Sequence, residues 1–450
     1  MSAHPSTATR ETRPGVAHDL AALARIAFPA GLPVRLRAWD GSEVEPGAGA
    51  DATTADVPTV VVRSPEALRR LLWSPGELGL AQAYVCGELD VEGDLLDGFR
   101  RVWRCVRAQR AGAASRPGWW DRASALSGAV SSARRWGLLR LPPAPPATQA
   151  RLRGRLHTLR RDREAIAHHY DLSNDFYRLI LDPHLAYSCA YFGPDPNQSL
   201  EDAQRAKLDL ICRKLGLDRA EPGHRHLDVG CGWGALSLHA AAEYGVNVLA
   251  ITLSGEQRDV VRARVAEAGL EERVEVRLQD YRALNPTRDG TFHTASSIEM
   301  GEHVGESNYP RFAAILRDLL RPQGRLLLQQ MSRTTRPGGG PFIEAFIAPD
   351  MHMRPVGETV GLLEEAGLEV RDVHALREHY VRTVHAWYAA FEASWDRAVD
   401  MVGEEMARVW RLYLVGGALA FEEGRMGVDQ LLAVRPDDDG GSGMPVGRPA

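Results

Sequence analysis

The stretch His226-Leu-Asp-Val-Gly-Cys-Gly-Trp-Gly234 decides the fold of this 450-residue chain. An apolar strand runs into an acid and then into three alternating glycines, Gly230, Gly232 and Gly234. Glycines there let the backbone turn tightly and approach a ligand with no Cβ in the way. A helix starting near Ala235 points its first amides at the same spot. The spacing is G-x-G-x-G, whereas dinucleotide sites use G-x-G-x-x-G and want an acid at the tip of the next strand. Here the next strand, Val246 to Ile251, ends in Thr252-Leu-Ser-Gly-Glu-Gln257. The acid sits instead at the end of the first strand, as Asp228, where a carboxylate can reach the amino group of an amino-acid-bearing nucleotide such as S-adenosylmethionine. The motif alone favours a methyltransferase over other nucleotide binders; the plainer reading is a turn that packs a helix on a sheet.

Outward from this motif, strand candidates recur at Arg273 to Arg277, Thr294 to Ser297 and Arg325 to Gln330, separated by helical stretches. The alternation predicts an α/β fold: a doubly wound, mostly parallel sheet of the Rossmann-like, class I methyltransferase kind, over residues 151–436. Residues 19–107 read as a smaller mixed α+β domain. It has β-like runs at Val34 to Trp39 and Thr59 to Arg63, and a helix from Ser64-Pro-Glu-Ala-Leu-Arg-Arg-Leu-Leu-Trp73, with Ser64 as N-cap. By composition, residues 1–18 and the tail 437–450 read as disordered.

Composition is that of an ordinary globular protein. The five cysteines are scattered and odd in number, which argues against a disulfide framework and a zinc site and for a reducing compartment. No apolar run approaches membrane-spanning length, and residues 1–14 lack the apolar core of a signal peptide, so a cytoplasmic protein is expected. The net charge of −5 hides an asymmetry: from Arg107 to Arg163 there are thirteen arginines and two acids. Within this region lies a basic linker, 108–150. Its Trp119 to Trp136 stretch suits an interfacial helix on an anionic membrane, and suits a mobile linker nearly as well. Nucleic acid is not an expected partner, because no recognisable binding module accompanies the arginines. His168 and His169 have no carboxylate spaced to join them, so no metal is expected.

Polar residues crowd two further places. Ala165-Ile-Ala-His-His-Tyr-Asp-Leu-Ser-Asn-Asp-Phe-Tyr177 is poor helix and poor strand, and reads as a lid or site wall. Ser297-Ile-Glu-Met-Gly-Glu-His-Val-Gly305 follows the fourth strand, where such sheets face their ligand.

Taken together, these motifs resemble those of the cyclopropane-fatty-acyl-phospholipid synthases. The resemblance rests on His169 to Tyr177, Tyr187-Ser-Cys-Ala-Tyr-Phe192, Leu227 to Gly234, Thr252-Leu-Ser-x-x-Gln257, Gln279-Asp-Tyr281, Glu302-His-Val-Gly305 and His379-Tyr380. It implies an enzyme that transfers a one-carbon unit from S-adenosylmethionine to the double bond of unsaturated acyl chains in membrane phospholipids, forming cyclopropane fatty acids. The cofactor would be held by Tyr187, Ser188, Asp228, Gly230, Gly232, Gly234, Thr252, Ser254, Gln257, Gln279, Asp280 and Tyr281. The resemblance further implies a bound bicarbonate that deprotonates the carbocation, held by Cys189, Glu302, the Met331 backbone, Tyr380 and Gln329. It implies peripheral association with the inner face of the membrane and leaves room for a homodimer.

Two positions depart from the family pattern. Gln329 stands where histidine is usual, and amides do not titrate. Gly417 stands where a cysteine is common. Both bear on the carbocation step, so a methylene-branched product, saturated by a partner reductase, stays open beside the ring. So does a non-catalytic lipid-binding protein.

Overall fold

The computed structural model describes residues 15–25, 28–29, 31–47, 57–111, 133–150, 173–333 and 339–447. The chain forms two compact units, Met1–Ala147 and Thr148–Ala450. Most of the interfacial-helix stretch and residues 165–172 of the polar lid motif lie outside the described residues.

In the first unit, strands β1 (Arg35–Ala38), β2 (Glu43–Val44), β3 (Thr59–Val62) and β4 (Leu89–Glu92) form a sheet of order β2-β1-β3-β4. β1 and β3 are parallel, and the other pairs are antiparallel. Its small core joins Ala17, Leu36, Ala38, Val62, Ala67 and Ala83. The helix Pro65–Trp73 begins as its proline requires, but the Ser64 hydroxyl makes no capping bond.

The second unit is built on seven strands: β5 (Arg225–Val229), β6 (Asn247–Thr252), β7 (Val274–Leu278), β8 (Phe292–Ile298), β9 (Leu320–Ser332), β10 (Glu369–Ala375) and β11 (Gly427–Val434). Their order is β10-β11-β9-β8-β5-β6-β7. The five strands foreseen from sequence are the parallel ones, whereas β10 and β11 add to the β9 edge in antiparallel fashion. Alternate side chains of the parallel strands feed two cores, as the period-2 geometry of a strand requires. Leu227, Val229, Leu249 and Ile251 meet Phe312, Leu316 and Leu363 on one face. Val248 and Ala250 meet Ile211, Leu236, Ala240, Val261 and Val265 on the other. Helices therefore cover both faces, and the fold is the doubly wound α/β class.

This topology locates the site. β5 pairs with β6 on one side and with β8 on the other, so the strand order reverses there. The crevice beyond the carboxyl ends of β5 and β8 is where such sheets bind ligands. The antiparallel pair also matters, because β11 sets Gln430 opposite Gln329 of β9. Beyond β11, Asp437, which composition assigned to the disordered tail, accepts from the Gln323 side chain and from the Gly441 amide.

Candidate active site

One cavity lies at the switch point. It is lined by the loop Gly230–Trp233, by Asp228 and Thr252 at the strand ends, by Gln257 and Gln279 to Arg282, and by Glu299 and Met300 after β8. Gly230, Gly232 and Gly234 all have positive φ, at 79°, 54° and 84°. Among the described residues a Cβ on Gly232 would meet nothing within 4 Å, whereas one on Gly234 would come within 2.8 Å of Leu238 and Val261. Gly232 thus leaves room beside the cavity, and Gly234 allows the helix Ala235–Tyr244 to pack closely.

Thr252 donates to Gln257 Oε1 at 2.8 Å, and Ser254 caps the helix Gly255–Glu267 by accepting from the Gln257 amide. The Gln279 side-chain amide nitrogen is buried with no partner among the described residues. A polar donor left open beside a glycine cradle fits an adenosyl and amino-acid ligand better than a merely packed turn. Asp280 is paired with Arg282 at 2.7 Å, and Tyr281 packs edge-on against Phe312.

Asp228 is held by a buried chain of hydrogen bonds. Its Oδ2 accepts from Ser237 at 2.6 Å and its Oδ1 from Ser296 at 3.1 Å. Since the Ser296 hydroxyl donates to Asp228, it must accept from His226 Nε2, 3.0 Å away. His226 Nδ1 then accepts from Thr294, also at 3.0 Å. Burial holds this imidazole neutral, with a pKa lowered to about 3. Burial raises the Asp228 pKa, and the two serine donors oppose the shift.

The residues expected to hold bicarbonate fall into two groups. Cys189, Gln329 and Tyr380 converge on the carboxylate of Glu299, which the sequence reading had not singled out. Glu299 Oε1 accepts from the Cys189 amide and from Gln329 Nε2, both at 2.8 Å. Its Oε2 accepts from the Tyr380 hydroxyl at 2.7 Å. Gln329 is oriented in turn by Gln430, which donates to its Oε1 at 2.9 Å. The donors that would cradle bicarbonate already hold a side-chain carboxylate, so the set does not fit a separate bound anion.

Glu302 and Met331 form the second group: the Met331 amide donates to Glu302 Oε1, while Glu302 Oε2 is buried with no partner among the described residues. Burial, and then the charge of Glu299, push the Glu302 carboxyl up to about 8, so it is protonated at neutral pH.

Glu299 has φ of 53°, a left-handed conformation that costs a non-glycine residue roughly 1–2 kcal/mol. Three side-chain hydrogen bonds and its own amide, which donates to the Gln329 carbonyl, hold it there. It keeps accessible surface because it faces the cavity. Burial raises its pKa, against the pull of its three donors and of Lys207. The Lys207 ammonium is itself buried and donates to Ser188 Oγ at 2.7 Å.

Sequence signals for both missed residues exist. Glu299 is an acid directly after an apolar strand at the switch point, and Lys207 lies in helical register with the buried Ala203 and Ile211.

The Cys189 thiol points away from the carboxylate, donating to the Ala190 carbonyl at 3.3 Å, and burial pushes its pKa far up, so it offers no thiolate. Tyr187 and Trp233 line the cavity and continue into packed rings: Tyr187 reaches Trp387 at 5.3 Å and Trp410 at 6.2 Å. Tyr187 also donates to the Tyr413 hydroxyl at 3.1 Å. Among the described residues a Cβ on Gly417 would approach only Val384, at 3.8 Å.

Residues 157–431 match the family model of mycolic acid cyclopropane synthetase. The chain is 36% identical to a probable fatty acid methyltransferase of Pseudomonas putida, over 92% of this chain and 95% of that one. It is 35% identical to the cyclopropane-fatty-acyl-phospholipid synthase of Escherichia coli, over 80% and 83%. Among solved structures, a mycolic acid cyclopropane synthase complexed with S-adenosylhomocysteine and CTAB is similar, with a TM-score of 0.56 and 33% identity over 60% of this chain and 97% of that one.

Proposed function

The chain belongs to the mycolic acid cyclopropane synthetase family and is an S-adenosylmethionine-dependent methyltransferase; on that premise we propose that it adds a one-carbon unit to the double bond of an unsaturated acyl chain in a membrane phospholipid. The observation that carries this reading is a cavity that joins the glycine cradle after β5 to a half-buried carboxylate after β8 and is lined by the rings of Tyr187 and Trp233.

When bound, S-adenosylmethionine supplies an electrophilic methyl group. Asp228 and the backbone of Gly230 to Gly232 would hold and orient it, and Gln257 and Gln279 would complete the pocket. An alkene is a weak nucleophile, so alignment in a site that excludes water supplies much of the acceleration. The faces of Tyr187 and Trp233 suit the positive charge that then passes along the acyl chain. A group that takes a proton from the new methyl completes the reaction.

Ring closure is the product we assign. A methylene branch is the second reading, and the carboxylate held by Cys189, Gln329 and Tyr380 favours it, because a base tethered to the chain approaches the methyl group from a fixed direction that a free anion need not share. Among the described residues no helix is long and apolar enough to cross a membrane. We assign access to lipid to peripheral docking at the inner face of the membrane through the arginine-rich segment 107–163.

The test is incubation of the purified protein with S-adenosylmethionine and liposomes of a mono-unsaturated phospholipid, followed by mass spectrometry and proton NMR of the released fatty acids. A one-carbon gain with upfield ring protons selects the cyclopropane, and vinylidene protons select the branch. No gain, with cofactor binding demonstrated, overturns the lipid reading.

A further inference from the structure

We propose that Glu299 is the catalytic base of this enzyme, a carboxylate built into the chain in the place where the family resemblance implies a bicarbonate taken from solution. The inference rests on the reading that a methyl group added to an acyl chain must lose a proton.

Three observations carry it. Three of the donors expected to bind a planar anion, the Cys189 amide, Gln329 Nε2 and the Tyr380 hydroxyl, lie at 2.7–2.8 Å from the Glu299 oxygens. The same carboxylate lines the cavity that holds the glycine cradle, so it opens on the space that the methyl donor would enter. The backbone at Glu299 is left-handed, an unfavourable conformation for glutamate that the site nonetheless retains. Gln329 belongs to the same arrangement. It donates one hydrogen bond to Glu299 and takes one from Gln430, and so positions the carboxylate without titrating. The buried ammonium of Lys207 supplies a compensating charge.

The step balances without a co-reactant. A Glu299 oxygen takes a proton from the methyl group of the cationic chain. The C–H electron pair becomes either the third carbon–carbon bond of a ring or, after a hydride shift on the chain, the second bond of a methylene branch. Glu299 is left as a neutral acid and returns the proton to solvent when product leaves.

The experiment compares the full-length wild type with Glu299→Gln and Glu299→Gly, in buffer purged of carbon dioxide and in buffer with added bicarbonate. It reads turnover on mono-unsaturated phospholipid liposomes, S-adenosylhomocysteine binding by calorimetry, and 13C-bicarbonate binding by NMR. Wild-type turnover is expected to be unchanged by purging. Glu299→Gln is expected to lose about 10²–10⁴-fold in kcat, the usual worth of a positioned base, and to keep cofactor-product binding. Glu299→Gly, whose backbone suits the left-handed conformation, is expected to bind bicarbonate and to regain turnover with it.

Loss of wild-type activity on purging, or bicarbonate binding by the wild type, overturns the proposal, as does a fully active Glu299→Gln. If wild type is inactive on every lipid, the functional reading fails, and the bicarbonate-binding comparison still decides whether Glu299 fills the anion pocket.

Discussion

The hydroxyl of Tyr380 donates to Glu299 Oε2 at 2.7 Å, joining residues 81 positions apart in the chain. The bond favours the ionised carboxyl, so it lowers a pKa that burial raises. Removing it in Tyr380→Phe lets that pKa climb further. The acid limb of the kcat–pH profile then moves to higher pH, because a smaller fraction of the carboxyl is ionised at any given pH. A hydrogen bond to a charged group is worth about 1.5–3 kcal/mol, so the limb moves by roughly one to two pH units, and kcat on its acid side falls by roughly 10- to 100-fold. S-adenosylhomocysteine affinity stays within about twofold, and stopped assays across pH 5–9 check the profile.

Glu302 provides a test of linkage. Its carboxyl is raised from an ordinary 4.5 to about 8 by burial and then by the Glu299 charge. The stability tied to this group is fully present below the unfolded value and is lost as pH rises through about 8, because the unfolded chain releases the proton first. Wild-type Tm should therefore fall as pH rises from 5 towards 8. Glu302→Gln keeps an acceptor for the Met331 amide and has nothing to titrate, so its Tm should fall less over the same range. Scanning fluorimetry of both proteins measures the difference.

The glycine loop predicts two distinct failures. Both Gly232→Ala and Gly234→Ala place a side chain on left-handed backbone, at about 1 kcal/mol or more each. In Gly234→Ala the Cβ also meets Leu238 and Val261 at 2.8 Å, adding roughly 1–3 kcal/mol of overpacking. Gly234→Ala should lose Tm first. Gly232→Ala should keep more of its stability and lose about tenfold or more in cofactor affinity, measured by calorimetry.

Ser296→Ala removes one donor to Asp228 and leaves the His226 Nε2 proton without its acceptor. An unsatisfied buried donor costs about 1–3 kcal/mol. The expected result is a lower urea midpoint, together with weaker S-adenosylhomocysteine binding as Asp228 loses its fixed orientation. Unchanged binding would remove Asp228 from the cofactor pocket.

The parallel half of the sheet was legible because each strand from β5 to β9 is either a locally apolar run or, in β7, an alternation of apolar and charged residues, set between helical stretches. β10 was not, because Glu369-Val-Arg-Asp-Val-His-Ala375 carries too many charges to stand out as a strand. It becomes one by pairing with β11. Glu302 attracted attention through its motif, while Glu299, three residues earlier, read as an ordinary polar residue of a loop.

The sequence by itself determined the cofactor cradle, since an acid and three glycines between a strand and a helix act through bonds and turns only a few residues long. Only the tertiary structure decided which carboxylate receives the donors. The parallel register sets Ile298 beside Gln329. The left-handed backbone of the next residue places the Glu299 side chain where donors from positions 189, 329 and 380 meet. Those donors are far apart along the chain, so their convergence is a property of packing that no local pattern encodes.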